Sequence, residues 1–227
     1  MNTTRSEKTR KLTMLAMLCA LAYVVMIVGR IPLISVPGLV LKYDPKDVII
    51  AVGGFIFGPL ATIFISVIVS FVEMITVSDN GIIGFVMNVV ATMGFATVAA
   101  LVYKKKHTLS GAVVGLALGI VCMTVLMLLW NYFLTPLYLG MPREAIAPML
   151  LPLFLPFNLI KAGLNMAITL LIYKPVVKGL RSAKLLPADE EETAPKKSNK
   201  IGLILGALAL LLLCILAALY LNGIITF

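Results

Sequence analysis

The chain has 227 residues, 61% of them hydrophobic and 13% charged, with a mean hydropathy of +1.07 and a formal net charge of +9. Apolar content on that scale exceeds what a soluble domain of this length can bury, and its arrangement in long runs predicts an integral membrane protein. The basic residues form short clusters between those runs and no nucleic-acid module accompanies them, so nucleic-acid binding is excluded and cytoplasmic retention of positive charge is the better reading.

A first helix is predicted over residues 11 to 29, preceded by Arg5, Lys8, Arg10 and Lys11. Its length suits one crossing at 1.5 Å per residue. Basic residues followed by an apolar stretch resemble a secretory signal, but no small-residue cleavage site precedes Arg30, so it reads as a retained helix. Residues 30 to 46 contain Pro32, Pro37, Gly38 and Pro45 and read as an irregular loop folded over the outer face, since unpaired backbone is not tolerated in lipid. A second helix, 47 to 57, is short for a full crossing. Gly58-Pro59 then breaks the chain, with Pro59 placed to start a third helix ending near Thr76. After the polar turn Ser78-Asp79-Asn80-Gly81, a fourth helix runs to Tyr103, and a fifth covers 109 to 133. A loop with Pro136, Pro142, Arg143, Glu144 and Pro148 leads to a sixth helix, 152 to 173.

The expected fold is thus an all-α membrane bundle of six transmembrane helices within residues 1 to 186, plus a seventh C-terminal helix. Residues 187 to 200, with Asp189, Glu190, Glu191 and Glu192 followed by prolines, lysines and a serine, read as a charged cytoplasmic linker. Residues 201 to 227 carry the seventh apolar run, whose Gly202-x-x-x-Gly206 could pack on a helix but which reads rather as a plain anchor.

Alternating sides with the N-terminus inside places four Lys and Arg before the first helix, three after the fourth (Lys104, Lys105, Lys106) and seven after the sixth on the cytoplasmic face. The outer segments receive only Arg30, Lys42, Lys46 and Arg143. That asymmetry predicts a multi-pass cell-membrane protein with a cytoplasmic N-terminus and an extracellular C-terminus.

Ionisable groups within a span are costly, about 2.5–3.5 kcal/mol on insertion scales, and ask for a reason. Lys161 is the main case. Asn158, Lys161 and Asn165 share one face of the sixth helix by their i, i+3, i+7 spacing, opposite Leu159, Ala162 and Ile172. This stripe is either a hydrogen-bonding wall or a tie between helices, with Lys161 pairing to Glu73, the only carboxylate within a span. Asn131, beside Trp130 and Tyr132, lies at similar depth, although such aromatics also serve as interface anchors. Leu41-Lys42-Tyr43-Asp44-Pro45 sits in the first outer loop, where Asp44 or Asp47 also suits a helix cap. Cys19, Cys122 and Cys214 are widely separated in apolar runs and read as packing residues, and His107 as an interfacial residue. No phosphate-binding loop, metal-ligand set or Ser/His/Asp set occurs, which points to a binder rather than an ATPase or another enzyme.

With its short second helix and polar sixth, the chain resembles the S components of energy-coupling factor (ECF) transporters, and most closely their riboflavin-specific branch. The resemblance covers about residues 10 to 183. It rests on Leu41-Lys42-Tyr43-Asp44-Pro45 with Asp47, on Asn131-Tyr132, and on Pro156-Phe157-Asn158-Leu159-Ile160-Lys161-Ala162-Gly163. It implies capture of riboflavin from outside as a transported substrate, not a cofactor, and association with a transmembrane coupling subunit and two ABC-type ATPases. By the same resemblance, Asn131, Asn158 and Lys161 bind the ring edge, Leu41, Lys42, Tyr43 and Asp44 line or close the pocket, and Ala16 and Ala20 on the first helix meet the coupling subunit. The seventh helix departs from the family's six-helix plan. The alternatives are an S component for thiamin, biotin or pantothenate, and, ranked lower, a membrane enzyme or an autonomous channel or carrier.

Overall fold

The computed structural model describes residues 2–36, 39–78, 80–182 and 200–224. The expected linker, apart from Lys200, lies outside the described residues. Helix α1 (Asn2–Gly29) begins earlier than predicted, its first turns carrying the exposed Lys8, Arg10 and Lys11 beyond the apolar run. The following segment, expected to be an irregular loop, is an antiparallel hairpin of β1 (Ile31–Val36) and β2 (Leu39–Tyr43). Pro32 is accommodated because a two-stranded sheet has only edges, and the register slips between Pro32 and Ile34. The hairpin pairs the facing edges of its two strands, so proline content concealed a regular element.

Helix α2 (Lys46–Phe57) has 12 residues, about 18 Å of rise, and so stops short of a full span. Its residues from Lys46 to Phe55 are all buried, because α1, α3, α4 and α6 surround it. Gly58 has φ 89° and ψ 175°, a conformation open essentially to glycine alone, and Pro59 starts α3 (Pro59–Thr76) as predicted. Helix α3 buries Ala61, Thr62, Ile65, Ser66, Val69, Ser70 and Glu73 along one stripe at helical spacing. Helix α4 (Gly81–Lys105) contains one π turn, Met93–Thr97, that buries Gly94, Phe95 and Ala96. Helix α5 (Leu109–Phe133) has its predicted bounds, opened by Thr108, whose hydroxyl accepts from the Gly111 N–H at 3.1 Å.

Short helical turns, Thr135–Leu139 and Arg143–Ile146, then a 3-10 turn and a π turn, Leu150–Phe154, lead into α6 (Leu155–Ser182). Helix α6 continues past Tyr173 and through Pro175, beyond its predicted end. Helix α7 (Lys200–Leu221) follows. Among the described residues six helices are long and apolar enough to cross a membrane, and the short α2 makes seven, in agreement with the predicted bundle. The protein is a multi-pass membrane protein.

Lipid supplies no hydrophobic drive for helix association, so close backbone approach matters. Gly115 and Gly119 of α5 lie against α4: a Cβ on Gly119 would stand 2.5 Å from the Phe95 carbonyl oxygen, and one on Gly115 2.7 Å from that of Ala99. Gly119→Ala should therefore cost about 1–3 kcal/mol through separation of this seam. The check is the apparent melting temperature in detergent, and an unchanged value would show that the seam yields freely.

Helix α7 is not a bare anchor. It packs along α6, where a Cβ on Gly163 would meet the Cys214 sulfur at 2.7 Å, and it buries Ala207, Cys214 and Ala218. Gly202 and Gly206 face away from the bundle, with nothing near Gly206. Of the residues placed opposite the polar stripe of α6, Ala162 is fully buried because α5 and α7 flank that helix, whereas Leu159 is exposed.

Candidate functional site

Beneath the hairpin lies a cavity of about 330 Å³, within the range of small-molecule pockets. Strand β2 covers it with Leu39, Val40, Leu41 and Lys42. Met87 of α4, Met123 and Met127 of α5, and Phe157 of α6 form an apolar wall. Asp44, Glu73, Asn88, Asn131 and Lys161 add polar groups to the same lining, Asn131 and Lys161 each one helical turn beyond Met127 and Phe157. A cavity lined by apolar side chains with a few convergent polar groups suits a small ligand that is apolar in body and carries heteroatoms.

The polar side is a network of buried charges. Lys161 Nζ lies 3.4 Å from Asp44 Oδ2, and Lys46 Nζ lies 3.5 Å from Asp44 Oδ1. Lys46 also donates to Glu73 Oε2, which accepts a second bond from Asn88 Nδ2 at 3.1 Å, while Arg30 approaches Glu73 Oε1 at 3.7 Å. Asp47 accepts from the Thr92 hydroxyl at 2.6 Å and from Asn165 Nδ2 at 3.4 Å. The cations Arg30, Lys46 and Lys161 thus face the carboxylates Asp44, Asp47 and Glu73 in equal number. Burial would push the Asp44 carboxyl up, but Lys161 and then Lys46 outweigh it and hold Asp44 down at about 2. Charge pairs at such depth cost desolvation that their attraction barely recovers, so they add little net stability although losing one partner is costly.

Two expectations are corrected by this geometry. Lys161 pairs with Asp44 and not with Glu73, because the Asp44 turn lies against α6 while Glu73 is occupied by Lys46. Neither Asp44 nor Asp47 caps α2: Pro45 holds the cap position with no side-chain hydrogen bond, and both carboxylates turn into the network.

Of the residues singled out from the sequence, Leu41, Lys42, Asp44, Asn131 and Lys161 line the cavity together. Asn131 is held by its own helix, its Nδ2 donating to the Met127 carbonyl at 2.7 Å and its Oδ1 accepting from Thr135 at 2.9 Å. Tyr43 and Asn158 stand behind the lining. The Tyr43 hydroxyl donates to Asn165 Oδ1 at 2.9 Å, tying β2 to α6, and Asn158 Nδ2 donates to the Phe154 carbonyl at 2.7 Å. Ala16 and Ala20 are exposed on α1 and do not line this cavity. Sequence reasoning passed over Arg30 and Asn88 and gave Glu73 only a pairing role. The signal for Glu73 was its phase with Thr62, Ser66 and Ser70 on the inward stripe of α3.

Comparison with known proteins agrees with this architecture. A family described as "ECF transporter, substrate-specific component" matches residues 10–173. The chain is 32% identical over 192 residues to the riboflavin transporter FmnP of Bacillus subtilis (strain 168), an alignment covering 78% of this chain and 99% of that protein. A solved structure described as the S component of a bacterial ECF transporter matches with a TM-score of 0.63 at 25% identity, over 77% of this chain and 99% of the other. A bundle with a short, fully buried second helix, a covered polar cavity and a match across most of its length to the family's own pattern places this chain among the substrate-specific components of ECF transporters.

Proposed function

We propose that the chain captures riboflavin from outside the cell in the cavity beneath the hairpin and passes it inward with an ATP-driven coupling module. The observation that carries this reading is a cavity lined by methionine and phenylalanine side chains together with Lys161 and Asn131. An isoalloxazine ring needs an apolar slot, and its pyrimidine edge offers alternating donors and acceptors that an amide and an ammonium match. A ligand lacking those groups leaves buried polar atoms unpaired at about 1–3 kcal/mol each, which gives selectivity. The likeness to a protein named as a riboflavin transporter supports the same choice over thiamin, biotin or pantothenate.

In this reading Leu41, Lys42 and Asp44 close the pocket, Tyr43 fixes the cover by its bond to Asn165, and Asn158 braces the first turn of the α6 wall. Residues 1 to 186 form the binding domain, with α7 an addition. The exposed Ala16 and Ala20 offer a small-residue seam for the transmembrane coupling subunit, which two ABC-type ATPases drive. The charge asymmetry supports a cytoplasmic N-terminus. Helix α7 ends beside β1, which supports the reading that this helix end and the hairpin lie on the same, outer side.

The test is optical. The purified chain should copurify yellow, with the visible absorption of a flavin, and stripped protein should quench the fluorescence of added riboflavin. A colourless preparation that produces no quenching overturns the assignment.

A further inference from the structure

The family match ends at residue 173, yet α7 reaches the cover of the cavity. Cys214 and Ala218 of α7 share one apolar cluster with Leu33, Ile34 and Tyr43 of the hairpin and with Ile160 and Leu164 of α6. Just past α7, Asn222 grips β1 by its backbone. Asn222 Nδ2 donates to the Leu33 carbonyl at 2.7 Å, and Asn222 Oδ1 accepts from the Ser35 N–H at 3.3 Å. The same Nδ2 donates to the Ala218 carbonyl at 2.8 Å, so one amide bridges a helix end and a strand. A carbonyl at one residue and an N–H two residues on project from the same strand edge, so Asn222 takes up the groups that a third strand would have paired. Two-stranded hairpins are marginal without such support.

We infer that Asn222 is a positioning residue for the binding site: by clamping β1 it holds β2, with Leu39 to Lys42, closed over the cavity, so that α7 governs how long the ligand stays. The inference rests on the reading of that cavity as the riboflavin site. Helix α7 is then part of the transport apparatus rather than a tether.

The experiment uses the full chain in lipid nanodiscs, with riboflavin release followed by stopped-flow flavin fluorescence and hairpin opening by amide hydrogen exchange. Asn222→Ala should raise the dissociation rate about tenfold, on the scale of two lost hydrogen bonds. It should also speed exchange across residues 31 to 43 with and without ligand, while α6 amides keep their wild-type protection. Dissociation and hairpin exchange both at wild-type values would overturn the clamp. Should Asn222→Ala fail to fold, Ser35→Pro removes the N–H from the strand side of the same contact, and the same two readouts decide. A wild-type chain that takes up no riboflavin sinks the cavity reading alone, and ligand-free hairpin exchange in the variant then judges the clamp.

Discussion

Lys161→Ala weakens riboflavin binding by about 10- to 150-fold, the loss expected when a hydrogen bond to a charged group worth about 1.5–3 kcal/mol is removed. Folding survives the change, because Asp44 keeps Lys46 at 3.5 Å after Lys161 is gone. Lys161→Met separates charge from packing. It retains the long stem and most of the volume, so an affinity loss equal to that of the alanine variant assigns the effect to the ammonium group. Isothermal titration of both variants against wild type supplies the numbers. Unchanged dissociation constants would remove Lys161 from the site and, with it, the principal reason for a lysine 7% exposed in a membrane helix.

Glu73→Ala acts on stability instead. Glu73 is 1% exposed and accepts from Lys46 and Asn88 while facing Arg30. Removing Glu73 takes the carboxylate partner that Lys46, Asn88 and Arg30 share, leaving Lys46 only Asp44 at 3.5 Å, and loss of a buried ion-pair partner costs about 3–5 kcal/mol. For a chain of this size that corresponds to a fall of roughly 6–20 °C in apparent melting temperature. Lys46→Met combined with Glu73→Leu should recover much of the loss, since well-packed apolar side chains commonly replace a buried pair without penalty. A double variant as unstable as Glu73→Ala, or a single variant as stable as wild type, would show that this pair does not organise the interior as described.

These two residues illustrate how far the sequence could be read. Lys161 stood out because one cation in a long apolar run has few explanations, whereas Glu73, the one partner offered for it, is not the residue it meets. Asp44 lies in a proline-flanked turn, and its natural local reading was a helix cap; only the packing of that turn against α6 turns it into a counter-ion. The hairpin was likewise hidden. Pro32 and Pro37 suggested irregular chain, and strand pairing depends on a partner segment and on the cover provided by α6 and α7. The long α6 differs from its prediction for a related reason: Pro152 and Pro156 fall within or next to its entry turns, and Pro175 is carried inside the helix.

What the amino-acid order alone determined is the membrane character, the number and limits of most helices, the break at Gly58-Pro59 and five of the residues that line the cavity. These follow from transfer into lipid and from backbone sterics, both properties of a short segment taken by itself. Tertiary structure alone decided which charge pairs with which, the closure of the outer segment into a strand-paired cover, and the union of the seventh helix with that cover through Asn222. The Lys161–Asp44 pair and the Asn222 contact join residues more than a hundred positions apart, and only the crossing of helices brings those groups within reach of each other.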